Sequence, residues 1–289
     1  MTIKMKNKNI YFFANRYWDA IPVLLGFLHF SYLLFMLAMF NHFSWWENII
    51  TGMVYAFSIS WNVNSVSHNF IHNAYFKSDL LNNLFSFLES ITLGFSQRMY
   101  EHVHRQHHIG NNDRLGTDGN TVDWISIYQH GKNGEPETAF KYAALSFFRD
   151  DPKLITQGIR RLNPNHANLA IVELVTVFIL IGALFLINWK LGLYFIAFHY
   201  LGHSLTALNG YYEHFGANPD KPIAWGVSCY NTLFNLLWLN NGYHAEHHYR
   251  PKQHWTEMKT LHESIQIKQK IAGVKVIKWP HQLGFLEDF

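Results

Sequence analysis

Three histidine-rich segments contain the residues of this sequence that are best suited to chemistry. Residues 104–108 read His-Arg-Gln-His-His and residues 244–248 read His-Ala-Glu-His-His, so both have the spacing HxxHH. A third segment holds His68 and His72, four positions apart. Positions i, i+3 and i+4 of a helix share one face, so the imidazoles of each segment point to one side. Imidazole is the commonest metal ligand in proteins. The recurrence of the pattern predicts a metal centre rather than three solvated polar helices.

The number of these histidines indicates more than one metal ion. Zinc usually takes three or four protein ligands, which would leave several imidazoles unused. Many imidazoles without thiolates fit a redox-active first-row metal. The only cysteine, Cys229, excludes an internal disulfide and a cysteine-ligated cluster. The ligands predicted from the three segments are His68, His72, His104, His107, His108, His244, His247 and His248.

Composition indicates a membrane protein. The chain has 289 residues, of which 49% are hydrophobic and only 15% charged, against about a quarter charged in soluble domains. Four long apolar runs are present, and at ~1.5 Å per residue each can cross a hydrocarbon layer of about 30 Å. We therefore expect an all-α integral membrane protein, a single domain over residues 1–289, with a cytosolic helical cap that carries the histidine segments. The predicted spans are residues 20–40, 48–67, 168–187 and 191–209.

The distribution of positive charge predicts the orientation of these spans. Residues 1–19, which include a basic tail, lie with 68–167 and 210–289 on one side of the four-span arrangement. That side holds 22 of the 23 Lys and Arg residues, and Lys190 is the exception. Because cytosolic loops are enriched in Lys and Arg, both termini and all three histidine segments are expected on the cytosolic face. A soluble helical protein with buried core helices would not predict this asymmetry.

The order of these segments resembles the membrane fatty acid desaturase superfamily, which also includes membrane hydroxylases and alkane monooxygenases. There, HxxxH follows a second span, HxxHH comes about thirty residues later, and another HxxHH follows a further pair of spans. Asp113 after the second segment and Tyr249-Arg250-Pro251 after the third are similar to desaturases. The stretch 209–216, Asn-Gly-Tyr-Tyr-Glu-His-Phe-Gly, resembles alkane hydroxylases. The resemblance implies two iron ions and a ninth ligand at the end of the fourth span, for which His214 is the matching position.

Two assignments stay open at this stage. Glu101-His102 is similar to the Glu-His that begins the second segment in hydroxylases, which makes His102 an alternative ligand. His203 lies near the helical face of His214 and is the alternative ninth ligand. Glu101, Glu213 and Glu246 adjoin predicted ligands and could accept hydrogen bonds from their second ring nitrogens.

The function implied by the resemblance is O2-dependent oxidation of an unactivated C–H bond in a fatty acyl or other long-chain lipid. Desaturation is favoured, and hydroxylation of the alkane-hydroxylase type is the alternative. A non-oxidative membrane metal hydrolase is a more distant alternative, and a metal carrier would space its histidines along a span. No nucleotide fingerprint, cysteine cluster or haem-attachment motif is present. Electrons are therefore expected from a separate ferredoxin, rubredoxin or cytochrome, and no nucleic-acid partner is expected.

Overall fold

The structure is a computed structural model that describes residues 12–287. Lys4, Lys6 and Lys8 of the expected basic tail lie outside these residues. Within the described part, the regular elements are helices, joined by loops that contain isolated β-bridges. The all-α prediction is therefore confirmed. The α-helices are α1 Ala20–Met39, α2 Trp45–Asn62, α3 His68–His72, α4 Asp79–Leu93, α5 Gln97–Gly110, α6 Ala139–Leu145, α7 Pro152–Leu162, α8 Pro164–Ile187, α9 Trp189–His214, α10 Thr232–Leu237, α11 His244–Tyr249 and α12 Met258–Ala272.

The long helices coincide with the four predicted spans, with shifted ends. The helix predicted over 168–187 begins earlier, at Pro164, and the one over 191–209 extends to His214. α2 ends at Asn62, five residues before the expected end of the second span, but the helical path does not stop there. It continues through a π-helical segment, Val63–Ser67, directly into α3. A π-helical turn changes which face later side chains present, so this segment sets the direction of the first histidine pair.

Two helices of the described chain are long and apolar enough to cross a membrane, Tyr17–Met39 and Pro164–Ile187. α2 and α9 do not meet that criterion because polar side chains interrupt them. Ser60, Asn62 and Asn64 lie in or just after α2 and are buried, and His199 is buried in α9. Membrane association is therefore supported, whereas the number of spans stays a prediction.

Local capping explains where the site-bearing helices begin and end. The Ser96 hydroxyl accepts a hydrogen bond from the Met99 amide and starts α5, and Asn111 ends it in the left-handed conformation at φ 51°. Asn163 and Asn188 cap α8 and α9 with their side-chain oxygens. Such side chains satisfy the free amides of a first helical turn. One residue, Asn188, therefore suffices to join two long antiparallel helices.

The core that holds these helices together lies between α1, α2 and α9. Leu33 of α1, Tyr55 and Ile59 of α2, and Phe195 of α9 have no exposed surface. α9 packs along α2, and α8 packs against both α9 and α7. α3, α5, α11 and the end of α9 come together at one end of this bundle.

Candidate metal centre

Four elements distant in sequence deliver the histidines to one place. α3 contributes the first pair, α5 and α11 contribute the two HxxHH segments, and the last residue of α9 contributes His214. The nine residues predicted from the sequence fall into two groups, and in each group the ligand atoms lie within 4.8 Å of one another. The first group is His68, His72, His104, His108 and His247, and the second is His107, His214, His244 and His248.

In the first group, the Nε2 atoms of the five imidazoles converge. His104 Nε2 lies 3.1 Å from His68 Nε2, 2.9 Å from His72 Nε2 and 3.0 Å from His108 Nε2. His247 Nε2 lies 3.0 Å from the Nε2 atoms of both His68 and His108. One imidazole nitrogen cannot share one proton with three others, so mutual hydrogen bonds do not account for this arrangement.

In the second group, the Nδ1 atoms of His107, His214 and His248 have hydrogen-bond partners, which leaves their Nε2 atoms free for a ligand. His244 Nε2 lies 3.1 Å from His214 Nε2, and the His107 and His248 rings pack edge-on at 4.9 Å. His248 Nε2 is buried and has no hydrogen-bond partner among the described residues. Leaving a buried acceptor such as His248 Nε2 without a partner costs free energy, and a bound metal ion would supply that partner.

Both groups fit a transition-metal ion. Donors at right angles around an ion, with bonds of about 2.1 Å, lie about 3.0 Å apart, whereas tetrahedral donors lie about 3.4 Å apart. The 2.9–3.1 Å separations in the first group match the former value. Five imidazoles in one group are also more than the four ligands that structural zinc takes.

Burial keeps the imidazoles in the form that binds metal. The pKa of His104, of His247 and of His248 lies well below the usual 6.5, because burial disfavours the charged form and neighbouring imidazoles add repulsion. These side chains are consequently neutral at pH 7, with a lone pair available for coordination.

The second ring nitrogens of several histidines are held by partners that the sequence did not reveal. The His107 Nδ1 atom lies 2.6 Å from Asp123 Oδ2, and the Asp123 side chain is fully buried. His68 Nδ1 lies 3.1 Å from Asn241 Oδ1, and His248 Nδ1 lies 2.8 Å from Asn111 Oδ1. His214 Nδ1 lies 3.0 Å from the Trp225 carbonyl oxygen. Such contacts fix the tautomer and orientation of a ligand.

The three glutamates expected to accept hydrogen bonds from the second ring nitrogens have different partners in the structure. Glu101 pairs with Arg98, and Glu246 accepts hydrogen bonds from Ser228, Tyr230 and His262. The expectation was therefore wrong for these two. Glu213 fits it better, because its Oε1 lies 3.6 Å from His244 Nδ1 and accepts a hydrogen bond from the Asn241 amide. Asp113, singled out in the sequence, instead accepts from the amides of residues 122 and 123 and so shapes the loop that positions Asp123.

The two alternative ligands lie outside both groups. His102 is on the opposite side of α5, next to Trp124 and Gly158. His203 Nε2 lies 2.9 Å from the Leu93 carbonyl oxygen at the end of α4, where His199 Nε2 approaches the same oxygen at 3.1 Å. These two imidazoles satisfy free carbonyl groups at a helix C-terminus.

A cavity of about 840 Å³ begins at the histidines and runs between α5, α8 and α9. His104, His107 and His214 line one part of it, and Val177 and Ile196 line another. An apolar cavity of this size accommodates a long hydrocarbon chain and excludes water from it.

The sequence is also similar to known proteins. The family model for fatty acid desaturase matches residues 43–275, which include the whole of both histidine groups. The chain belongs to the fatty acid desaturase family. A fatty acid desaturase of Bacillus subtilis (strain 168) is 24% identical over 250 residues, covering 76% of this chain and 69% of the relative. Membership confirms the resemblance and supports a desaturase-type oxidoreductase function for this family member.

Proposed function

We propose that this protein is a membrane di-iron desaturase that uses O2 to oxidise an unactivated C–H bond of a fatty acyl or other long-chain lipid. The observation that carries the proposal is the convergence of nine imidazoles into a group of five and a group of four beside an apolar cavity. Family membership supports the reaction type. The separation of the donor nitrogens supports a redox metal over zinc.

The nine histidines would hold one iron in each group. A bound iron pair supplies the redox chemistry that activates dioxygen and removes hydrogen from a methylene group. The protein supplies orientation and a dry environment. Asp123, Asn241 and Asn111 keep their histidines in the tautomer whose Nε2 faces the centre. The apolar cavity wall positions one segment of the hydrocarbon chain beside that centre.

A separate electron donor is part of this proposal, because each turnover consumes two electrons. α11 supplies three of the nine histidines, and α12 packs against it. We propose that a ferredoxin, rubredoxin or cytochrome delivers the electrons from the cytosolic side.

For the membrane arrangement we propose one domain over residues 1–289 with four spans, near 20–40, 48–67, 168–187 and 191–209. Both termini and the histidine centre would face the cytosol. The support is the asymmetry of Lys and Arg, 22 of 23 on one side. A reporter fused to the C-terminus should be cytosolic. A C-terminal reporter found on the opposite side would refute the four-span arrangement.

The product is tested by lipid mass spectrometry on cells with and without the protein, grown in air and without O2. The expected product has two hydrogens fewer than its substrate and is absent from cells that carry His247→Ala. A product heavier by one oxygen would favour the hydroxylase, for which the 209–216 stretch, which contains Glu213 and His214, is the supporting feature. Product that still forms without O2 would contradict both activities and favour metal hydrolysis.

A further inference from the structure

The segment between the loop after α5 and the start of α8 has an unexpected surface. We call residues 139–162 the interfacial hairpin; it consists of α6, the 3-10 turn Ser146–Phe148, and α7. Four of its large apolar side chains are more than half exposed: Phe140 at 75%, Phe148 at 69%, Leu162 at 58% and Leu154 at 56%. The sequence analysis placed this segment on the expected cytosolic side, within residues 68–167. Several exposed apolar side chains of this size in one segment are typical of an interaction surface.

The hairpin also carries an excess of positive charge, with five Lys and Arg residues against Asp150 and Asp151. Lys141 and Arg149 pair with Glu137, and the Asp151 side chain is used to cap α7. Lys153, Arg160 and Arg161 are exposed, and within the described residues 12–287 they have no carboxylate within ion-pair distance. The partner of this surface must therefore accept both apolar side chains and several cations.

The position of the hairpin indicates which partner that is. Ile155 and Ile159 of α7 pack against Ala167 and Ala170 in the first turns of α8. Only Asn163 separates α7 from α8, one of the two helices apolar enough to cross a membrane.

The hairpin also meets, at the cavity, the surface of α8 that is expected to face lipid. Phe148 and Phe178 of α8 line the same cavity, and Phe178 is itself 63% exposed. Arg160 and Arg161 lie within four residues of Pro164, where the apolar span begins, which is the level at which Lys and Arg meet lipid head groups.

We propose that the interfacial hairpin lies in the cytosolic membrane interface and binds anionic lipid. Its exposed apolar side chains enter the acyl region, and Lys153, Arg160 and Arg161 contact the phosphate-bearing head groups. The inference rests on the membrane placement proposed above. It adds that anionic lipid collects at the rim of the substrate cavity, because Phe148 belongs to both surfaces.

The depth of the hairpin tests this proposal without any need for activity. Nitroxide labels are placed by Phe148→Cys or Leu154→Cys in full-length protein in bilayers of phosphatidylcholine and phosphatidylglycerol. Cys229 is buried and reacts slowly, so the introduced thiol is labelled. Phe178→Cys reports lipid and Asp118→Cys reports water. We expect the two hairpin labels to be accessible to O2 and protected from a water-soluble nickel complex, as at residue 178.

Two other outcomes overturn the inference for different reasons. If the hairpin labels match residue 118 while residue 178 stays in lipid, the protein is in the membrane and the hairpin is free for a protein partner. If residue 178 is also accessible to nickel, the proposed membrane placement itself fails.

The charge is tested by the triple variant Lys153→Gln, Arg160→Gln, Arg161→Gln. Each basic side chain at an anionic leaflet favours anionic over neutral lipid by roughly fivefold. Electron paramagnetic resonance should therefore show the preference for spin-labelled phosphatidylglycerol over phosphatidylcholine falling at least twofold. The matched control removes three lysines of α12: Lys259→Gln, Lys268→Gln, Lys270→Gln. An equal fall in the control, or none in the hairpin variant, would overturn the assignment of anionic lipid to the hairpin.

Discussion

The substitution Asp123→Asn isolates the contribution of one buried carboxylate to the metal centre. The carboxylate of Asp123 meets three donors. Oδ2 accepts from the Asn112 amide at 2.9 Å and lies 2.6 Å from His107 Nδ1, and Oδ1 accepts from the Ile125 amide at 2.9 Å. An asparagine has one oxygen and one NH2 group at these positions. Whichever way it is turned, the NH2 group faces a donor, and the site is fully buried.

The expected loss follows from this geometry. Removing the acceptor of a metal-ligating histidine typically costs 10- to 100-fold in metal affinity, about 1.4–2.8 kcal/mol. The second group, which contains His107, should therefore release its ion while the first group keeps its own. We expect Asp123→Asn to lose about one iron per chain under a chelator concentration that leaves the unmodified protein with two.

The assay is iron per chain after dialysis against increasing chelator, measured for the unmodified protein and two variants. Asp118→Asn is the matched control, because Asp118 lies in the same loop but is exposed and contacts Asn120. Circular dichroism shows whether the helices remain. If Asp123→Asn keeps both irons to the same chelator concentration as Asp118→Asn, Asp123 does not hold His107 for metal binding, and the reasoning is refuted.

Three further outcomes are expected. His214→Ala should lose about one iron and nearly all product, whereas His203→Ala should keep both metals; an empty site in the second variant and a full one in the first would reverse the assignment. The hydrogen bond to the buried carboxylate of Glu246 in α11 raises the pKa of His262. This bond therefore stabilises the folded state below pH 6.5, and its contribution is lost as the pH rises through the raised pKa. The difference in Tm between the unmodified protein and His262→Gln should thus shrink on going from pH 6 to pH 9, and a constant difference would contradict it. Gly94→Ala should lower Tm more than Gly134→Ala. Both glycines have positive φ, but only a Cβ at Gly94 would clash with a neighbouring side chain, the imidazole of His199. Equal losses of Tm would mean that this imidazole moves aside.

Residue types and spacing were sufficient to find eight of the candidate ligands, because the histidines of each segment are local to one helix face, and the resemblance to the desaturase superfamily implied the ninth, His214. The HxxHH spacing of α5 places His104, His107 and His108 on one side, and the structure has them there. The all-helical fold was equally accessible, since long apolar runs separated by Asn, Pro and Gly leave few alternatives to helices. The family followed from the order of the segments.

The division of the nine histidines into a group of five and a group of four was decided by tertiary structure. His104 and His107 belong to one segment but to different groups. The Nε2 neighbours of His68 come from 36 and 179 residues away, a proximity that no local periodicity encodes.

The hydrogen-bond partners of the ligand histidines could likewise not be predicted from the sequence. Asp123 reaches His107 because a loop held by Asp113 folds back over α5, whereas Glu101, the nearer carboxylate in sequence, points towards Arg98. The sequence thus determined which side chains could bind metal and on which helix face they lie. Only the packing of distant helices decided which of them share an ion and which buried oxygens hold them, because those contacts join residues with no local relation in the chain.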